Sequence, residues 1–157
     1  THLDVDGITD TQKLVRSPVA EAVSEVLVRS NVSVQNKTAV VVGAGKLVGA
    51  PVAELLRELG ANVSVITQNE GSLLDLKTAD IVVLGAGEPG LVSPEMLKEG
   101  VVLIDAGTSE ASGRLAGDAS PACAEVASVF TPVPGGIGPI SVAMIFKNLF
   151  TLAPIKN

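Results

Sequence analysis

Four apolar residues in a row, Ala39-Val40-Val41-Val42, run straight into Gly43-Ala44-Gly45-Lys46-Leu47-Val48-Gly49, and no other stretch restricts the fold of this chain as much. An uninterrupted aliphatic run of strand length suits a strand covered on both faces, as in a parallel sheet. Gly43 can make the sharp turn out of that strand, and Gly45 lets a ligand approach backbone where a Cβ would otherwise stand. Gly49 allows close packing of a helix that opens near Pro51 and continues through Val52 to Leu59. Free N–H groups of its first turn, aided by the helix dipole, then face a diphosphate. The spacing is G-x-G-x-x-x-G, one residue longer than the commonest dinucleotide fingerprint. A strand-to-helix turn with no ligand is the alternative reading.

The flanking sequence repeats the strand-helix alternation. Ser17 as N-cap and Pro18 at the first helical position start a helix to Arg29, with Val19, Val23, Val26 and Leu27 at helical spacing. Further strands are expected at Asn62–Ile66, Asp80–Leu84, Val101–Asp105 and Val126–Phe130. Short helices are expected over 72–77, 94–98 and 121–125, and a loop or small hairpin over 109–117. A last helix, Ile140 to Phe150, carries Val142, Ile145, Phe146 and Leu149 as its apolar stripe, and Pro154 ends the order. The pattern predicts an α/β fold: a Rossmann-type, doubly wound parallel sheet in a single domain, with helices on both faces. The 157 residues include three Phe and no Trp or Tyr, so the core must be aliphatic. The expected division is a linker and helix over 1–36, the sheet core over 37–138, and a C-terminal helix and tail over 139–157.

Charge and composition exclude several classes of function. A net charge of −6 without a basic patch argues against a nucleic-acid partner. No apolar run approaches the roughly twenty residues that span a bilayer. With one cysteine, no visible signal peptide and no intramolecular disulfide, the default expectation is a soluble cytoplasmic protein. Cys123 reads as a small packed side chain, since no base is placed to activate it. His2 has no second ligand nearby, so no metal site is expected. The start, THLDVDG, reads as the middle of a longer polypeptide.

Three further loops fall at strand ends, where open α/β sheets bind ligands. Thr67-Gln68-Asn69 follows the second strand, where an acid would bind a ribose 2′-hydroxyl and a base a 2′-phosphate. Neither is present before Glu70, so NAD and NADP both stay open, and the lack of Arg or Lys favours NAD. Gly85-Ala86-Gly87-Glu88-Pro89-Gly90 follows the third strand, as crevice wall or as plain loop. Asp105-Ala106-Gly107-Thr108 ends the fourth and sets Thr108 beside the cofactor. Thr131 to Pro139 then holds three prolines and three glycines in nine residues, a loop both rigid and close-fitting.

On Asp4-Val5-Asp6-Gly7, Gly43 to Pro51, Val102 to Thr108 and above all Thr131-Pro132-Val133-Pro134-Gly135-Gly136-Ile137-Gly138-Pro139, the chain resembles the methylenetetrahydrofolate dehydrogenase/methenyltetrahydrofolate cyclohydrolase family. The resemblance covers nearly the whole chain and implies the NAD(P)-binding domain of that bifunctional folate enzyme. It implies hydride transfer from 5,10-methylenetetrahydrofolate to a nicotinamide, and cyclohydrolase chemistry with a lysine of a first domain. That domain is missing here, and this chain has no tyrosine to match the family's Tyr-x-x-x-Lys helix, so the isolated chain is expected to be inactive. Carried over by position, Gly43, Ala44, Gly45, Gln68, Gly87, Thr108 and Ser141 would contact NAD or NADP. Asp6 would be the catalytic acid touching the pterin, and Pro134, Gly135 and Gly138 the folate-side wall. The helices over 17–29 and 140–150 resemble the pair joining the two domains, and the family implies a homodimer serving one-carbon metabolism and purine biosynthesis. NADP-using members commonly have Arg-Ser where this chain has Ala44-Gly45, and His-Ser where it has Thr67-Gln68, which favours NAD. Two other readings compete: a non-catalytic dinucleotide-binding or assembly module, and a different Rossmann dehydrogenase such as one acting on amino acids.

Overall fold

The computed structural model describes residues 15–111 and 113–153. Asp6, His2, the rest of THLDVDG and Pro154 lie outside the described residues. Five strands form one parallel sheet: β1 (Thr38–Val42), β2 (Asn62–Ile66), β3 (Ile81–Leu84), β4 (Val102–Asp105) and β7 (Val129–Thr131). Between the last two, β5 (Ser109–Ala111) and β6 (Arg114–Ala116) make a small antiparallel hairpin. The α-helices are α1 (Pro18–Arg29), α2 (Gly49–Glu58) and α3 (Ile137–Leu152).

The sheet runs β2-β1-β3-β4-β7, with Val40 opposite Ser64 on one side and Val82 on the other. The chain winds outward from β1 to β2, then returns past β1 to build β3, β4 and β7. This is one of the two common doubly wound orders, and its direction reverses between β1 and β3. The glycine turns after β1 and β3 therefore lie side by side, at the point where such sheets open a crevice.

Burial of both faces explains the unbroken apolar run. In β1, Ala39 and Val41 face the helices, while Val40 and Val42 face the opposite layer, and all four are at most 3% exposed. Helix α2 inserts Val52, Leu55 and Leu56 into the first layer at i, i+3 and i+4 and leaves Arg57 and Glu58 outside. Full burial of a side chain like Leu56 contributes roughly 1.5–3 kcal/mol. The other face differs from expectation: it carries no α-helix among the described residues. Three 3-10 turns, Leu73–Thr78, Pro94–Met96 and Pro121–Glu125, cover it with Leu76, Leu97 and Cys123. Each turn seats only one or two apolar side chains at or beside it, Leu73 and Leu76, Met96 and the following Leu97, and Cys123, and a single tight turn suffices for that.

Ser17 and Pro18 start α1 at the expected N-cap and first helical positions, although the Ser17 hydroxyl makes no capping bond and faces the Leu47 carbonyl at 3.4 Å. Two expected boundaries are corrected. Strand β7 starts at Val129, because Val126 and Ala127 still donate to the Cys123 carbonyl as the preceding turn closes. Helix α3 starts at Ile137, three residues early. Pro139 fits its first turn, where N–H groups have no intrahelical acceptor to lose. The stripe of α3 points away from this domain's core: Val142, Ile145, Phe146 and Leu149 are 38–57% exposed. The inner edge is built from Ile137, the partly buried Ile140 and Met144, and Asn148, with the Asn148 amide donating to the Arg16 carbonyl at 2.8 Å and Lys147 pairing with Glu21 of α1 at 2.9 Å. No helix among the described residues is long and apolar enough to cross a membrane.

Candidate functional site

The carboxyl edge of the sheet is organised by backbone contact. Gly43 sits at φ +100°, donates its N–H to the Ile66 carbonyl at 2.8 Å, and a Cβ on it would lie 2.4 Å from the Gly85 oxygen. A Cβ on Gly49 would lie 1.9 Å from the Gly43 oxygen, so the helix start rests directly on the turn. Gly45 differs in kind: nothing stands within 4 Å of where its Cβ would be. Among the described residues, the N–H groups of Ala44 and Gly45 meet no protein acceptor.

This turn separates two clefts of nearly equal size. The first, about 500 Å³, is bounded by Gly43 to Gly45, by Ile66 to Asn69, and by Gly85, Ala86, Glu88 and Leu91 across the switch point. The second, about 510 Å³, lies between Leu47 and Val48 of the turn, Thr108, and the wall from Pro132 to Pro139, with Ser141 and Ile145 of α3 beyond. Within that wall the Val133–Pro134 peptide is cis.

The residues expected at the site divide between the clefts. Gly43, Ala44, Gly45 and Gln68 border the first. Gln68 is carried on a turn in which Thr67 donates its N–H to the Glu70 carbonyl at 2.8 Å and accepts from Asn69 N–H at 3.3 Å. Thr108, Pro134, Gly135, Gly138 and Ser141 border the second. The Ser141 hydroxyl is turned back onto the Ile137 carbonyl at 3.0 Å. Gly87 lines neither cleft: its N–H donates to the Asp118 carboxylate at 3.1 Å and its carbonyl accepts from the Ser109 hydroxyl at 2.7 Å. Asp6 lies outside the described residues. Sequence reasoning missed Leu47, Val48 and Leu115, which face the second cleft from turn and hairpin. Cys123 is fully buried, its Sγ 3.5 Å from the Val92 carbonyl, and burial pushes its thiol pKa up, as suits a packed side chain.

Two buried aspartates stand behind the clefts. Asp105 Oδ1 accepts from Gly107 N–H at 2.9 Å and Asp118 N–H at 3.2 Å, and Oδ2 from Ala119 N–H at 2.9 Å. Asp118, with no exposed surface, accepts from the N–H groups of Ala86, Gly87 and Glu88 at 2.7, 3.1 and 2.8 Å. Nothing in the sequence marked Asp118 beyond its place in a turn. Burial raises the Asp105 pKa above the ordinary carboxylate value, against the pull of its three N–H donors. With the folded value above the unfolded one, the native chain holds the extra proton between them. Asp105 therefore lowers stability progressively as pH rises through that window and has no such effect below it. A residue-resolved carbon NMR titration should give Asp105 a midpoint above 3.8; a midpoint at or below that value contradicts the assignment. Resolution by residue matters because Asp80, whose pKa is lowered first by its hydrogen bond to Lys98, acts with the opposite sign.

The residues present fit a dinucleotide. Two adjacent amides without an acceptor among the described residues adjoin an open glycine position at a strand-to-helix turn, the chemistry that receives a diphosphate. The family described as tetrahydrofolate dehydrogenase/cyclohydrolase, NAD(P)-binding domain, matches residues 17–157. The bifunctional protein FolD of Halothermothrix orenii is 44% identical, over 92% of this chain and 56% of its own length. The crystal structure of the bifunctional FolD enzyme from Campylobacter jejuni superposes with a TM-score of 0.88 at 32% identity, over 95% of this chain and 56% of that one. FolD from Trypanosoma brucei, solved with NADP and an inhibitor, gives 0.86 at 36% identity, over 95% of this chain and 57% of that one. The chain thus spans a little over half the length of these relatives. Its sheet order, its glycine turn and its match over residues 17–157 place it in the tetrahydrofolate dehydrogenase/cyclohydrolase family, as the NAD(P)-binding domain.

Proposed function

We propose that the first cleft holds the diphosphate and adenosine of NAD or NADP, and that the second brings the nicotinamide against a tetrahydrofolate substrate. The parent enzyme would oxidise 5,10-methylenetetrahydrofolate. The observation that carries this reading is the pair of unpaired amides at Ala44 and Gly45, beside the point where the sheet order reverses. Those amides hold the diphosphate, and Gln68 contacts the adenosine ribose. When bound, the cofactor supplies a hydride acceptor. Thr108 and Ser141 border its nicotinamide end, while Pro134, Gly135 and Gly138 form the mostly apolar folate-side wall. Asp6 contacts the pterin, and Gly87 serves through the backbone shape of its loop. NAD is favoured because, among the described residues, the only ionisable side chain lining the first cleft is that of Glu88, an unfavourable neighbour for a 2′-phosphate.

The cyclohydrolase step belongs to the parent and needs a lysine from the family's first domain, so this chain alone does not catalyse it. We assign the exposed face of α3, Val142, Ile145, Phe146, Leu149 and Phe150, to contact with that domain, since a contiguous apolar patch of this kind marks an interface. A homodimer in the cytoplasm, serving one-carbon metabolism and purine biosynthesis, completes the reading. Ala44, in place of the family's arginine, favours one alternative, a non-catalytic dinucleotide-binding module. A parent protein that oxidises methylenetetrahydrofolate with neither cofactor would decide for that module.

Calorimetric titration of the chain with NAD and NADP tests the cleft. The expected result is weak binding, with NAD at least as tight as NADP. A clear preference for NADP overturns the reading of Ala44 and Gln68, and no binding of either overturns the assignment of the cleft.

A further inference from the structure

The loop after β3 is rich in glycine and ought to be loose, yet the molecule holds it from two sides. Gly87 and Gly90 adopt φ of +74° and +69°, so little in the local chain restricts their conformation. Three consecutive N–H groups, of Ala86, Gly87 and Glu88, converge on the one buried carboxylate of Asp118, which is possible in a single loop conformation only. From the outer side the Ser109 hydroxyl donates to the Gly87 carbonyl at 2.7 Å. The carboxylate is itself seated: Asp105 accepts the Asp118 N–H, and a Cβ on Gly107 would lie 2.2 Å from Asp118 Cγ. Ala86 and Glu88 of this loop form the far wall of the first cleft, facing Gly43 to Gly45.

We propose that Asp118 and Ser109 are positioning residues for the dinucleotide, a two-sided clamp that holds the loop after β3 as the outer wall of its cleft. The inference deepens the cofactor reading above and rests on it. It also divides the work along the edge. The loop's amides are used inside the protein, so the diphosphate is met by the Ala44–Gly45 side, and the loop contributes shape. Charge-assisted bonds to three N–H groups make the wall rigid before ligand arrives, which removes an ordering penalty from binding.

Asparagine at 118 has one acceptor oxygen and turns an NH2 group toward donors, so the loop must shift. NAD titrations of the wild-type chain, Asp118→Asn and Ser109→Ala, with thermal unfolding and amide exchange on each, test the clamp. Asp118→Asn should bind NAD about tenfold more weakly and Ser109→Ala about threefold more weakly. In Asp118→Asn the amides of 86–88 should exchange faster while those of β1 keep wild-type protection. A purely structural role would lower the melting temperature and leave NAD affinity intact. Folded Asp118→Asn with wild-type affinity overturns the clamp. Should that variant not fold, wild-type affinity in Ser109→Ala overturns it instead. A wild-type chain that binds neither NAD nor NADP defeats the cofactor reading itself, a failure distinct from variants that bind as well as wild type.

Discussion

Gly49→Ala lowers the unfolding free energy of this chain by about 3 kcal/mol. Propensity alone gives the opposite sign, because alanine in place of glycine near a helix start usually gains about 0.4–1 kcal/mol. The clash decides the outcome. The added methyl would stand 1.9 Å from the Gly43 carbonyl oxygen and 3.0 Å from the Ala44 Cα, both backbone atoms that no rotamer change can move. Relief requires the helix to back away from the turn. The turn is held in turn by Gly43 against Gly85, and by Val48, whose methyl group fills the space beside Gly85. Displacement therefore spreads to both sides of the switch point and disturbs the Ala44 and Gly45 amides. Denaturant unfolding, with NAD titration of whatever remains folded, checks both parts. A variant at least as stable as wild type would mean that the helix does not rest on the turn.

Gly45→Val produces the reverse combination, a fold left nearly unchanged and a cleft that no longer accepts its ligand. Beyond its chain neighbours, no atom of the described residues lies within 4 Å of the new Cβ, and Gly45 does not need the left-handed backbone that bars side chains at Gly43. Stability should stay within about 0.5 kcal/mol of wild type, as for other substitutions that touch nothing. NAD affinity should fall roughly a hundredfold, since branched bulk then occupies the approach to the diphosphate amides and a misplacement of about 1 Å is enough for such a loss. Equal affinity in the variant and the wild type would place the diphosphate elsewhere. On the proposed reading the two glycines would separate packing from recognition within a span of five residues: Gly49 has backbone where its side chain would stand, and Gly45 has empty space there.

The same contrast runs through α3. Its apolar spacing is plain in the sequence, yet the stripe at Val142, Ile145, Phe146 and Leu149 faces outward, while a second line, Ile137, Ile140, Met144 and the polar Asn148, takes the inner edge. Periodicity reports that a face must be covered without naming the cover. The chain spans a little over half the length of these relatives, and among the described residues this face of α3 stays exposed.

The sequence by itself determined the elements whose cause is local. Strands β1 and β2 fall at the expected residues because the apolar run Ala39–Val42 and the alternating Val63-Ser64-Val65, closed by Gly43 and by the polar Thr67-Gln68-Asn69, leave no other register. The glycine turn and the proline-glycine wall were legible for the same reason, since backbone freedom and backbone restriction are properties of single residues. Tertiary structure alone decided what depends on distant partners. Asp118 holds amides some thirty residues earlier in the chain, and Asp105 holds amides thirteen and fourteen residues later. Short polar segments around those aspartates look like ordinary loops, and only the sheet order, which sets β3 beside both β1 and β4, brings them together. A carboxylate becomes a clamp when folding strips its water and leaves backbone N–H groups as its only donors, and no local pattern encodes that.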